Sequence, residues 1–151
     1  MTIFVDADAF PRPLRDILTK ASTRLKIPII FVANRFVRLP ASDLLTCVVA
    51  PEGPDQSDDR IVELVEVDDL VITADVPLAD RVVTKGAHAL NPRGTLYTPD
   101  NIKERLASRD LMADLRDSGL VSGGPPAFGS KDVQSFADGL NRFLSSPKRK
   151  R

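Results

Sequence analysis

The sequence predicts a three-layer α/β/α sandwich around a mainly parallel sheet, and three observations point there. Four short β-rich runs, residues 3–5, 29–32, 44–50 and 70–73, are apolar throughout rather than alternating, as expected of strands covered on both faces. Stretches with apolar residues at helical spacing fall between and after these runs, so strand and helix alternate in the way that builds parallel sheets. At 151 residues and 42% hydrophobic content the chain is long enough for one sizeable core, since a chain of that size hides roughly 70% of its unfolded surface.

The elements follow in order. After the strand 3–5, a helix over 13–25 carries Pro13 in its first turn and Leu14, Ile17, Leu18, Ala21 and Leu25 three or four apart, until Pro28 stops it. The strands 29–32 and 44–50 come next, and Pro51-Glu52-Gly53-Pro54 breaks the chain before a helix over 55–67 that offers Ile61, Val62, Leu64 and Val65 for packing. The strand 70–73 feeds a short helix over 77–84, and Thr95-Leu96-Tyr97 adds a short strand. Two helices close the chain. Residues 99–118 carry Ile102, Leu106, Leu111, Met112 and Leu115, and residues 131–144 carry Val133, Phe136, Leu140 and Leu144, with Ser122-Gly123-Gly124-Pro125-Pro126 as the loop between them. We expect one domain over 1–146 and a disordered basic tail over 147–151.

Composition removes several functions. A lone Cys47 forbids a disulfide within the chain and a four-thiolate zinc site, and its apolar setting reads as that of a small buried hydrophobe. One histidine, His88, rules out His-rich metal sites, and no G-x-S-x-G motif accompanies it; a structural place between Ala87 and Ala89 is the expectation. No apolar run approaches the ~20 residues of a membrane span. Met1-Thr2-Ile3-Phe4-Val5-Asp6 lacks the basic region of a secretory signal, so the cytoplasm is the expected compartment. Net charge is zero, but Lys148, Arg149, Lys150 and Arg151 hold four of the 21 positive charges, which leaves 17 basic against 21 acidic residues elsewhere. Such a tail is a solvated segment that can attract polyanions.

Ligands of open α/β sheets gather outside the carboxyl ends of the strands, and there this sequence is acidic. Asp6 and Asp8 follow the first strand, Asp55, Asp58 and Asp59 open the helix after the third, and Asp75 follows the fourth. On a helix, Asp55 and Asp59 lie one turn apart on the same face with Asp58 beside them. Like charges so placed repel, and a hard cation bound by oxygen, Mg²⁺ or Mn²⁺, would offset the repulsion. Each aspartate taken alone could be a helix cap, a helix-dipole partner or a turn former; acids after three separate strands favour a metal site. Metal-assisted phosphodiester hydrolysis needs no histidine. Lys85, Arg93 and Lys103 are candidates for holding substrate phosphates, against the commoner role of solvated surface charge.

Several motifs together resemble a known family: Val5-Asp6-Ala7-Asp8-Ala9, Val32-Ala33-Asn34, Gly53-Pro54-Asp55 with Asp58-Asp59, and Asp69-Leu70-Val71-Ile72-Thr73-Ala74-Asp75-Val76-Pro77-Leu78-Ala79. Lys85-Gly86, Leu90-Asn91-Pro92-Arg93-Gly94, Asn101-Ile102, Leu115-Arg116 and Gly123-Gly124-Pro125 continue the pattern. In order and over residues 3–144 they resemble the YaiI/YqxD family of uncharacterised bacterial proteins. That family resembles the PIN-like superfamily, whose members include metal-dependent ribonucleases. The resemblance implies a PIN-like fold and Asp6, Asp55 and Asp75 as catalytic acids. It also implies Asp6, Asp8, Asp55, Asp59 and Asp75 around Mg²⁺ or Mn²⁺, with Asp8 and Asp58 auxiliary, and RNA as substrate. Lys85 and Arg93 are the expected phosphate-holding residues. One departure is Asp8-Ala9-Phe10-Pro11, where the family usually reads Asp-Ala-Cys-Pro, so no thiol stands beside the carboxylates.

Two other readings compete. Phe4-Val5-Asp6-Ala7-Asp8 also resembles the D-x-D motif of haloacid-dehalogenase-type phosphatases, in which the first acid is the nucleophile and the second a general acid. A non-catalytic nucleic-acid or protein binding module would keep the acids without turnover. With aromatics at 5% and no Trp, stacking platforms for such a binder are scarce.

Overall fold

Successive residues of the central strands feed two separate cores. In the computed structural model Ile3 and Val5 pack with Leu14 and Leu18 of the first helix and Phe136 and Leu140 of the last, whereas Phe4 between them packs with Ile61, Leu78 and Val82 on the opposite face. The same alternation sends Ile29, Phe31, Leu70 and Ile72 to the first core and Val32 and Val71 to the second. Because side chains point to opposite faces with period two, continuously apolar strands require helices on both sides, and the three-layer α/β/α architecture follows.

The structure describes residues 1–53, 55–117, 119 and 128–145. In chain order the elements are β1 (Ile3–Asp6), a 3₁₀ turn (Ala7–Ala9), α1 (Leu14–Leu25), β2 (Ile29–Ala33), β3 (Leu45–Val49), α2 (Gln56–Leu64), β4 (Leu70–Ile72), α3 (Val76–Thr84), β5 (His88–Leu90), β6 (Leu96–Tyr97), α4 (Ile102–Asp117) and α5 (Ser130–Leu144). The sheet order is β3-β2-β1-β4-β5-β6, with β1 to β5 parallel and β6 antiparallel to β5. β1 lies at the centre, with Ile3 opposite both Ile29 and Leu70. The expected loop 122–126 and the basic tail 147–151 lie outside the described residues.

Two expectations change. Residues 44–50 are not a strand covered on both faces: β3 is the sheet edge, with Val49 52% exposed. Cys47 is therefore half-buried rather than buried, and its Sγ accepts the Val37 N–H at 3.4 Å. That contact belongs to the segment joining β2 to β3, whose Val37 and Leu39 pack on the first core without forming a helix. β5 was not expected, because three residues opened by a histidine give too little pattern to read.

The far side of the sheet depends on one close backbone approach. A Cβ at Gly139 of α5 would lie 2.5 Å from the Gly94 carbonyl oxygen, and Gly94 itself turns with φ +100°. Only glycine at both positions lets α5 lie against the β5–β6 turn.

Candidate functional site

β1 and β4 are neighbours, so the residues just beyond their carboxyl ends meet. Asp6 ends β1, and Asp75 follows β4 as the N-cap of α3, its Oδ1 accepting the Leu78 N–H at 3.0 Å. Thr73, 1% exposed, links them: its hydroxyl donates to Asp6 Oδ2 at 3.0 Å and accepts the Asp75 N–H at 2.9 Å. A short polar side chain at the end of an apolar strand thus holds both acids. Oδ1 of Asp6 accepts no hydrogen bond among the described residues.

Asp8, in the 3₁₀ turn, ties the segment after β2 to the first turn of α2. Its Oδ1 accepts the Asn34 N–H at 2.9 Å and its Oδ2 accepts the Ser57 hydroxyl at 3.0 Å, while Asn34 Nδ2 donates to the Pro51 carbonyl at 2.9 Å. Asp55 precedes α2 in the left-handed region, φ 62°, without a side-chain cap. It is therefore not a helical residue, although its carbonyl accepts the Asp59 N–H at 2.9 Å. Asp59 turns its carboxylate to Arg81, 2.9 Å away on the exposed side of α3.

Charge shows which acids face one another. Burial raises the Asp6 carboxyl above its ordinary value, the Thr73 hydroxyl opposes that rise, and the negative charges of Asp75 and Asp8 add to it. Asp58 is pushed up to about 6, first by burial and then by Asp75, Asp6 and Asp55, with Arg81 opposing. The mid-chain acid directed at the cluster is thus Asp58, treated above as auxiliary, one ~100° step around the helix from Asp59. Asp6, Asp8, Asp55, Asp58 and Asp75 form one electrostatic group drawn from three segments of chain. Among the described residues no group of three or more His, Cys, Asp or Glu side chains is arranged so that it could hold a metal ion.

The cations divide between the two ends of the sheet. Lys85 follows α3 and donates from Nζ to the carbonyls of Val62 and Glu63 in the last turn of α2, at the amino edge of the sheet. The nine residues of α3, roughly 13 Å of helix, separate it from Asp75. Arg93 lies beyond the carboxyl end of β5, paired with Asp132 at 2.9 Å and stacked over Phe128 at 5.6 Å. Lys103 pairs with Asp80 at 2.8 Å. His88 opens β5 at the amino edge, 3.2 Å from Asp68 and against the Phe143 ring, a structural place away from the acids.

Thr73, Asn34 and Ser57 are the positioning residues that sequence reasoning missed. Thr73 and Asn34 stand where apolar strands turn polar, and that was their signal; Ser57, 6% exposed inside α2, had none.

The whole chain bears comparison with known proteins. The family model described as "Uncharacterized BCR, YaiI/YqxD family" matches residues 4–146. The chain belongs to the YaiI/YqxD family. Its relatives include a "UPF0178 protein" of Trichlorobacter lovleyi, 51% identical over 145 residues, covering 96% of this chain and 94% of the relative. A second, from Solidesulfovibrio magneticus, is 52% identical over 144 residues, 95% of this chain and 96% of its own. A third, from a Janthinobacterium species, is 47% identical over 150 residues, 99% of each. No solved structure matches this YaiI/YqxD chain significantly. Among its described residues, no helix is long and apolar enough to cross a membrane.

Proposed function

We propose that the carboxyl edge of the sheet is the centre of a divalent-metal-dependent nuclease that hydrolyses phosphodiesters, with RNA as its substrate. The observation that carries this reading is the pair of acids held side by side by Thr73, whose hydroxyl donates to Asp6 Oδ2 and accepts the Asp75 N–H, with Asp58 raised by burial and by the charges of Asp75, Asp6 and Asp55. Acids serving only as caps and turn formers have no need to press on one another in this way, whereas a site for a cation does.

The donor set suits Mg²⁺ or Mn²⁺, being oxygen only. Mg²⁺ commonly keeps several waters and is held by one or two carboxylates together with substrate phosphates, so no preformed three-ligand cage is required. Asp6 and Asp75 would hold the ion, with the charge of Asp58 beside them. When bound, it neutralises charge building on the phosphorus and acidifies water toward hydroxide. The chain's own contribution is orientation. Thr73 anchors one oxygen of Asp6, α3 anchors one oxygen of Asp75, and each leaves a second oxygen for a ligand. Asp8 holds the loop of Asn34 and the first turn of α2, through Ser57, in place with both of its oxygens. That engagement also disfavours the phosphatase reading, in which Asp8 would have to give a proton to a leaving group. The PIN-like likeness of these acids belongs to the same proposal, as does a phosphate-holding role for Arg93. Lys85 leaves it, because its ammonium caps α2 at the other edge.

The test is a time course on unstructured RNA with Mg²⁺, Mn²⁺ or chelator, for wild type, Asp6→Asn and Asp75→Asn. Asparagine caps a helix as well as aspartate, so Asp75→Asn keeps α3 intact while removing charge. We expect slow metal-dependent cleavage lost in both variants. Equal cleavage in the variants would reject the site, a trapped aspartyl-phosphate formed from monoesters would install the phosphatase, and metal-dependent RNA binding without products would install the binding module.

A further inference from the structure

The carboxyl ends of β1 and β2 also carry an exposed aromatic ring among exposed arginines. Phe36 is 75% exposed, the most exposed large hydrophobic side chain among the described residues, while the other six phenylalanines are buried or half-buried. Arg35 and Arg38 flank it, and Arg12 stands beyond the end of β1; all three are exposed. Segment 34–40 contains no acid. None of the three arginines has an ion-pair partner among the described residues.

Both ends of this strap are anchored. On one side Asn34 is bound through its N–H to Asp8 and through Nδ2 to Pro51; on the other the Val37 N–H donates to Cys47 Sγ. Phe36 lies two residues from Asn34, within roughly 7 Å of chain, so its backbone is tethered close to Asp8 at the acidic edge. Clustered acids repel the phosphates of any nucleic acid, and cations beside them supply the compensating attraction. A ring with one face to solvent accepts a base only if that base is unpaired and free to leave its stack.

We propose that residues 35–38 form a platform for single-stranded RNA: an unpaired base stacks on Phe36, and Arg35, Arg38 and Arg12 bind the adjoining phosphates. This rests on the nuclease reading for its purpose, though not for its measurement. Anisotropy of a short labelled unstructured RNA, in chelator so that nothing is cut, is read for wild type, Phe36→Ala, Phe36→Trp and the double variant Arg35→Gln with Arg38→Gln, with a matched duplex as competitor. Phe36→Ala should weaken binding about 5- to 100-fold, Phe36→Trp should keep it, and the double arginine variant should flatten the salt dependence by about 0.7 per lost phosphate contact. Phe36 is exposed, so an unchanged Tm shows that each variant is folded.

Unchanged affinity in Phe36→Ala, no binding by wild type, or preference for the duplex would each overturn the platform. A parallel cleavage assay separates the two claims. If wild type cuts RNA and Phe36→Ala cuts with the same KM, the platform fails and the nuclease stands; if Phe36-dependent binding occurs without cleavage under either metal, the platform stands and the nuclease falls.

Discussion

Two aspartates at opposite ends of the central strands meet opposite environments. Asp69, just before β4 and 8% exposed, accepts the Thr2 N–H on one oxygen and the Glu66 N–H on the other, both at 2.9 Å. Asp6, at the far end of neighbouring β1, accepts one hydroxyl and senses the charges of Asp75 and Asp8. At the amino edge a carboxylate ties two backbone segments together, and His88 and Lys85 likewise make local structural contacts with Asp68 and with the end of α2. At the carboxyl edge the acids face one another. An aspartate at a strand end thus becomes a functional candidate when its neighbours leave its charge uncompensated.

The contrast is sharpest in stability. Asp69→Ala leaves two backbone amides without partners, at ~1–3 kcal/mol each, and should lower Tm by on the order of 10 °C in a denaturation scan. RNA cleavage measured well below that Tm should remain. Next in size is Thr73→Val, which removes the hydroxyl between Asp6 and Asp75 and should cost about 1–2 kcal/mol. It should also raise the Asp6 carboxyl further, because the hydroxyl that favours its charged form is gone. Carbon-detected NMR titration of Asp6 in wild type and variant reads that shift directly.

Asp58→Asn should change stability in the other direction. The folded protein keeps the Asp58 proton up to about 6 while the unfolded chain gives it up near the ordinary 3.8. A folded carboxyl raised in this way penalises folding increasingly as pH climbs from 3.8 toward 6, and in full above that. Without metal, the variant should therefore be more stable than wild type by a few degrees at pH 7, and the gain should close as pH falls to about 4. A variant less stable than wild type at pH 7 would mean that Asp58 is satisfied rather than repelled. The smallest effect belongs to Lys85→Met, which loses a contact to exposed carbonyls: below ~1 kcal/mol, with no change in KM for RNA.

The layers and most elements were legible because continuous apolar runs and helical spacing are local signals. β3 misled because its run of residues 44–50 is as apolar as that of a central strand, although one flank is open; position within a sheet is not written in a single strand. β5 was too short to register. At the site, strand-end placement located Asp6 and Asp75, and their adjacency follows from β1 and β4 being neighbours. The choice between Asp58 and Asp59 was illegible, since it depends on where α2 lies against α3, and Arg81 decides it from a different helix. Phe36 was hidden for the same reason: whether a phenylalanine beside apolar residues is core or surface is a tertiary fact.

If the acids at the carboxyl edge are held together for a divalent cation, the folded chain should bind that cation and the unfolded chain should not. Thermal unfolding of the full chain across a Mn²⁺ and a Mg²⁺ series, beside the same series for Asp6→Asn, tests it most directly, because a ligand that binds only the folded state stabilises by RT ln(1 + [L]/Kd), about 2.7 kcal/mol at a hundredfold excess over Kd. Wild type should show a saturable rise in Tm at millimolar metal, and Asp6→Asn little or none. A wild-type Tm that does not move with either ion, or that moves equally in Asp6→Asn, would contradict it.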